Sequence, residues 1–117
     1  MNPAGGDWKD MFAAAQKGDA PLVEYYLQQG IDPDYQHPEV LTTVLIEAAN
    51  LGQTEVVKVL LEKGANPSIK SELDGWDALE IARIHRHKEV VAILEAALGL
   101  KPQRLSFWQR LGFNRSA

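Results

Sequence analysis

The chain contains no cysteine, so disulfides, thiolate metal sites and a cysteine nucleophile are all excluded, and the redox compartment stays open. It also lacks any run near the ~18 consecutive apolar residues of a membrane span. The N-terminal MNPAGGDWKD has no basic segment followed by an apolar stretch, so the chain reads as cytoplasmic. An exported mature form with its signal removed would read the same way. Nucleophile-elbow, phosphate-loop and dinucleotide-binding patterns are absent as well. Positive charge is in short supply, with 12 Lys and Arg against 16 Asp and Glu. Four of those bases, Lys101, Arg104, Arg110 and Arg115, lie in an acid-free segment from Gly99 onward, which leaves the body with eight bases against sixteen acids. Such a body has no basic face for phosphate contact, which argues against a nucleic-acid partner.

What is present fits one domain. With 117 residues, 45% hydrophobic and 24% charged, the chain can bury one modest core but not two. A shift of 34 residues lines up Ala14, Ala48 and Ala82, then Val23, Val57 and Val91, then Leu22, Val56 and Val90. Leu27 and Leu61 follow, with Glu95 a poorer third, and Gly18 matches Gly52 while Gly30 matches Gly64. A constant offset of this size argues for stacked repeats, each burying its apolar face only against its neighbours.

Each copy reads as two short helices and a long turn. In the middle copy Thr43 can cap a helix from Val44 to about Leu51, with Ala48 and Ala49 allowing close backbone approach. Gly52 ends it. A second helix, from about Glu55 to Lys63, places Val56, Val57, Leu60 and Leu61 on one face, with Lys58 and Glu62 as an outward i, i+4 pair. Gly64 supplies a left-handed stop. Asp77 and Glu80 have capping-box spacing, and Asp19 with Pro21 suits a helix start. The connectors Ile31–Thr42 and Ala65–Trp76 read as extended, hairpin-like loops.

The segment TVLIEAANLGQTEVVKVLLEKGANP, Thr43 to Pro67, resembles an ankyrin repeat. Thr43, Leu45, Ala48, Ala49, Gly52, Val56, Val57, Leu60, Leu61, Gly64, Ala65 and Asn66 match that family's pattern in order. Val44 and Ala78 replace its helix-start proline, Ile46 and Glu80 its histidine, and Arg86 its interhelical glycine. The resemblance implies an all-α solenoid of paired antiparallel helices with hairpin-like loops. The copies fall at about 8–35, 42–69 and 76–98 within residues 1–98, and a short helical extension spans 99–117.

It further implies a noncatalytic module, monomeric when free, that grips one protein partner through loop tips and the concave side of the first helices. The specific expectation is an inhibitor or immunity-type regulator of a partner enzyme. An adaptor or scaffold is the alternative, and a hydrolase the rival of a different class. Carried over by position, the tips are Glu39, Val40 and Thr42 in one loop and Leu73, Asp74 and Trp76 in the next, with Trp8 at the same place in the first copy. The variable helix positions are Gln16 and Lys17, Asn50 and Leu51, Ile84 and His85. Trp76, Leu51 and Ile84 are apolar where water would be the default, so they are expected to form a shallow strip for a partner. The competing reading lays Trp76 flat on its own loop and packs Leu51 and Ile84 between helices.

Other chemistry finds little support. His85 and His87 sit at i, i+2 on different helix faces with no third ligand nearby, so no metal is expected. Asp32 and Asp34 lack the glycine and distal glutamate of a calcium loop. No cofactor is implied. In the extension, Ser106 and Gln109 have capping-box spacing around Phe107, Trp108 and Leu111. That segment reads as a cap on an open apolar flank of the third copy, as a docking element for a protein, or, less readily, as a basic aromatic membrane anchor.

Overall fold

The computed structural model describes residues 3–100, and among them every regular element is a helix. The elements are α1 (Pro3–Lys17), α2 (Ala20–Gln28), α3 (Val44–Leu51), α4 (Thr54–Glu62), α5 (Ala78–Ile84) and α6 (Lys88–Ala97). They pack as pairs, α1 with α2, α3 with α4 and α5 with α6. The first helices form one layer, α1 on α3 on α5, and the second helices another, α2 on α4 on α6. Each pair therefore completes its core only against the next, as the 34-residue offset requires.

Local chemistry fixes where the helices start and stop. Asp19 Oδ1 accepts from the Leu22 amide and Thr43 Oγ1 from the Ile46 amide at 3.1 Å. Asp77 and Glu80 close a reciprocal capping box, at 2.8 and 2.9 Å. Gly52 and Gly64 end α3 and follow α4 at positive φ, 72° and 96°. The expected Lys58–Glu62 pair is not made; Lys58 turns back along the helix to Glu55, three residues earlier and 3.3 Å off. Both are exposed, so either arrangement contributes little.

The core is the alanine and valine ladder of the repeat. Ala48, Ala49, Val56, Val57, Leu60, Ala82 and Leu94 are wholly buried. Burying a Val or Leu contributes about 1.5–3 kcal/mol, while the alanines let paired helices approach closely. A second ladder is polar. Gln53 Nε2 donates to the Gln16 carbonyl at 2.7 Å, and His87 Nε2 bonds the Asn50 carbonyl at 2.9 Å, one repeat further on. Each side chain satisfies a carbonyl left open at the end of the preceding first helix. The approach is so close that a Cβ on Gly18 would lie 2.7 Å from Gln53 Oε1, and one on Gly52 2.7 Å from His87 Nδ1.

The third copy breaks these rules in concert. Arg86 stands where the others have Gly18 and Gly52, at φ 60°. Arg83 and Glu95 occupy the places of Ala49 and Leu61 and form an ion pair at 3.1 Å, with Glu95 buried. Charge thus stands at two positions that are apolar in the second copy. The extension with Phe107, Trp108 and Leu111 lies outside the described residues.

Candidate protein-binding face

The loop between α4 and α5 is built from the inside out. Ser71, buried, donates its hydroxyl to the Leu41 carbonyl at 3.0 Å and accepts from the Leu73 amide at 3.0 Å. The preceding loop holds it from the side: Gln36 donates through Nε2 to the Lys70 carbonyl and accepts through Oε1 from the Glu72 amide. Asp34 Oδ1 accepts from the Asn66 amide at 2.9 Å. Two loops a repeat apart are therefore tied by backbone and side-chain bonds.

Trp76 sits at the end of this frame. Its amide donates to Asp74 Oδ1 at 3.2 Å, its carbonyl accepts from the Ser71 amide at 2.9 Å, and the next residue is the Asp77 cap. Lys70 reinforces the cap, reaching Glu80 at 3.1 Å and Asp77 at 3.6 Å. The Asp77 amide and the Lys70 ammonium both hydrogen-bond the Glu80 carboxylate and hold its pKa below the usual range. The Lys70 ammonium is pushed up, mainly by Glu80 and further by Asp77. With the backbone fixed on both sides, the indole stays 40% exposed.

Beside it lies a depression of about 100 Å³ lined by Thr42, Glu47, Asn50, Leu73, Asp74, Trp76 and Ile81, with Ile46 and Ser71. Five of the residues expected at the binding face meet here: Thr42, Asn50, Leu73, Asp74 and Trp76. Leu51 and Ile84 are exposed at the ends of α3 and α5 rather than packed between helices, and His85 is exposed beside Ile84. Gln16 and Lys17 are exposed on α1, with the Gln16 amide spent on Glu47 Oε2 at 3.0 Å. Glu47 and Ile81 escaped the sequence reading. Each lies one helical turn before an expected binding residue, Asn50 and Ile84, and the i, i+3 spacing on the same face is the signal that points to them.

Three expectations need correction. Trp8 does not reach a loop tip: it lies inside α1, only 1% exposed. Its ring stacks on Phe12 at 4.9 Å and on His37 at 5.5 Å, with Tyr35 edge-on at 5.9 Å. Thr42 is buried and forms part of the depression's lining, not its rim. Val40 is half-buried against the core. Of the three residues expected at that tip only Glu39 is exposed, and it is paired with Lys9 at 2.8 Å. That contact lowers the Glu39 pKa.

Among the described residues no cluster of His, Asp and Glu is arranged to hold a metal, and no helix is long and apolar enough to cross a membrane. A family model described as ankyrin repeats, three copies, matches residues 11–104. The chain belongs to the ankyrin-repeat family. Ankyrin repeats are generally protein–protein interaction modules and typically noncatalytic. Among relatives, E3 ubiquitin-protein ligase hecd-1 of Caenorhabditis elegans is 37% identical over 86 residues, 71% of this chain but 3% of that protein. ARF GTPase-activating protein Git of Drosophila melanogaster is 32% identical over 70% of this chain and 11% of its own length. Ankyrin repeat and SAM domain-containing protein 6 of Rattus norvegicus is 34% identical over 73% and 10%. The chain thus spans about a tenth or less of these relatives.

Proposed function

We propose that this ankyrin-repeat chain is a noncatalytic binding protein that engages one protein partner through the face around Trp76. The observation that carries the reading is the indole itself, 40% exposed on a loop whose backbone is bonded on both sides. An exposed Trp on a rigid support is an efficient anchor, because little ordering entropy remains to be lost on binding. Leu73, Leu51 and Ile84 extend the apolar surface around it. A preformed face of this kind is suited to covering a site on the partner, and the role proposed for it is that of an inhibitor or regulator of a partner enzyme, with an adaptor or scaffold as the alternative. On this reading the free chain is a monomer.

The test is affinity capture from a lysate of the source cells, wild type beside a Trp76→Ala, Leu51→Ser double variant, with circular dichroism showing that both fold. The proposal expects one stoichiometric protein retained by the wild type and lost by the variant, and an activity of that protein suppressed on binding. Equal retention by both forms would move the site elsewhere.

A further inference from the structure

The depression beside Trp76 has an unbalanced lining. Its charged members are Glu47 and Asp74, and it has no basic side chain. One oxygen of each carboxylate is engaged, Glu47 Oε2 by Gln16 and Asp74 Oδ1 by the Trp76 amide, while the second oxygen of each makes no bond among the described residues. Thr42 lines the same depression, is 8% exposed, and its buried Oγ1 has no hydrogen-bond partner among the described residues. A buried hydroxyl left in this state is destabilising. Two lysines are already committed, Lys9 of α1 to Glu39 and Lys70 of the loop before α5 to Glu80 and Asp77. What the site offers is two carboxylate oxygens and an aromatic face. What it lacks is a cation.

We infer that the depression between Trp76, Asp74 and Glu47 receives an arginine side chain presented on an apolar-flanked segment of the protein partner. This rests on the protein-binding reading and specifies its chemistry. A depression of about 100 Å³ has room for a side-chain head group. A guanidinium is planar, stacks on an indole and carries five donors, enough for both carboxylates. Lysine offers the charge without the fork and binds less well. Leu73 and Ile84, 65% and 50% exposed, meet the apolar neighbours of that arginine. The charge runs the same way on the larger scale, since the acidic body attracts a basic partner.

The experiment selects random peptides displayed on phage against the full chain, with counter-selection on Trp76→Ala. Selected peptides are expected to carry arginine between apolar residues. Asp74→Asn and Glu47→Gln, which keep shape and an acceptor oxygen but remove charge, each weaken them at least about tenfold. Arginine-to-lysine peptides bind less, and Asp74→Lys shifts preference toward an acidic residue at the same peptide position. If Trp76-dependent peptides emerge without a basic residue, or ignore Asp74→Asn and Glu47→Gln, the face stands and the arginine assignment falls. If no peptide depends on Trp76, the binding face falls and the assignment with it. A synthetic peptide of residues 101–117 that displaces the selected peptides would identify the occupant as the chain's own basic segment and overturn the assignment to a partner.

Discussion

Trp8 and Trp76 occupy the same place in the repeat, two offsets of 34 apart, yet one is 1% exposed and the other 40%. The difference lies in what precedes the first helix. In the first copy α1 begins at Pro3 and carries Trp8 within it, beneath Tyr35 and His37 of the following loop. In the third copy the helix begins at Ala78, after the Asp77 cap, so Trp76 stays on the loop. A repeat register assigns position, but exposure is decided by the neighbouring element. Equivalent residues can serve opposite ends, one closing the stack and one facing outward.

Changes at equivalent positions should separate those roles, the largest effect first. Trp8→Ala removes a buried ring and is expected to cost about 3–5 kcal/mol in denaturant unfolding. Trp76→Ala should cost no more than about 1 kcal/mol by the same measurement. If the two losses are alike, the contrast between them is lost. Gly52 and Arg86 make a second pair. Gly52→Ala meets His87 at 2.7 Å and adds left-handed strain, so its cost should exceed the ~1–2 kcal/mol of the backbone alone. Gly64→Ala, with nothing within 4 Å, should show the backbone cost only. Arg86→Gly, which relieves a positive φ, should leave the melting temperature unchanged or slightly higher.

Smaller effects concern how the loop before Trp76 is held. Asp77→Ala removes the cap of α5 and should cost about 1 kcal/mol. The Glu80 carboxyl has a lowered pKa in the fold, so its contribution is full above the usual carboxylate range and is lost as pH falls through the lowered value. Glu80→Gln should therefore narrow the gap to wild type as melts are taken from neutral pH into the acid range. A gap that widened on acidification would contradict the capping-box account.

Much of this was legible in the sequence because the residues concerned act locally. The caps at Asp19, Thr43 and Asp77, the stops at Gly52 and Gly64, and the alanine–valine ladder each depend on chemistry within one turn of chain or one fixed offset. At Trp8 two sequence signals compete. Its repeat register pointed to a loop, whereas Trp8, Met11, Phe12 and Ala15 follow the i, i+3, i+4, i+7 spacing of a buried helix face, and that spacing prevailed. The burial of Thr42 and the tie between the loops through Gln36 depend on side chains a repeat apart, which no local pattern encodes. The charged pair of Arg83 and Glu95 is visible as a failure of the register, with Glu95 where the other copies have leucine. Its pairing became apparent only with the helices in place.

The central claim is that Trp76 faces a protein partner and Trp8 does not. The most direct measurement is the affinity of the captured partner, by titration calorimetry, for wild type, Trp8→Phe and Trp76→Ala, each confirmed as folded. The account predicts that Trp8→Phe binds as wild type does, while Trp76→Ala is weaker by about 2 kcal/mol or more, roughly thirtyfold. Equal affinity for wild type and Trp76→Ala would contradict it.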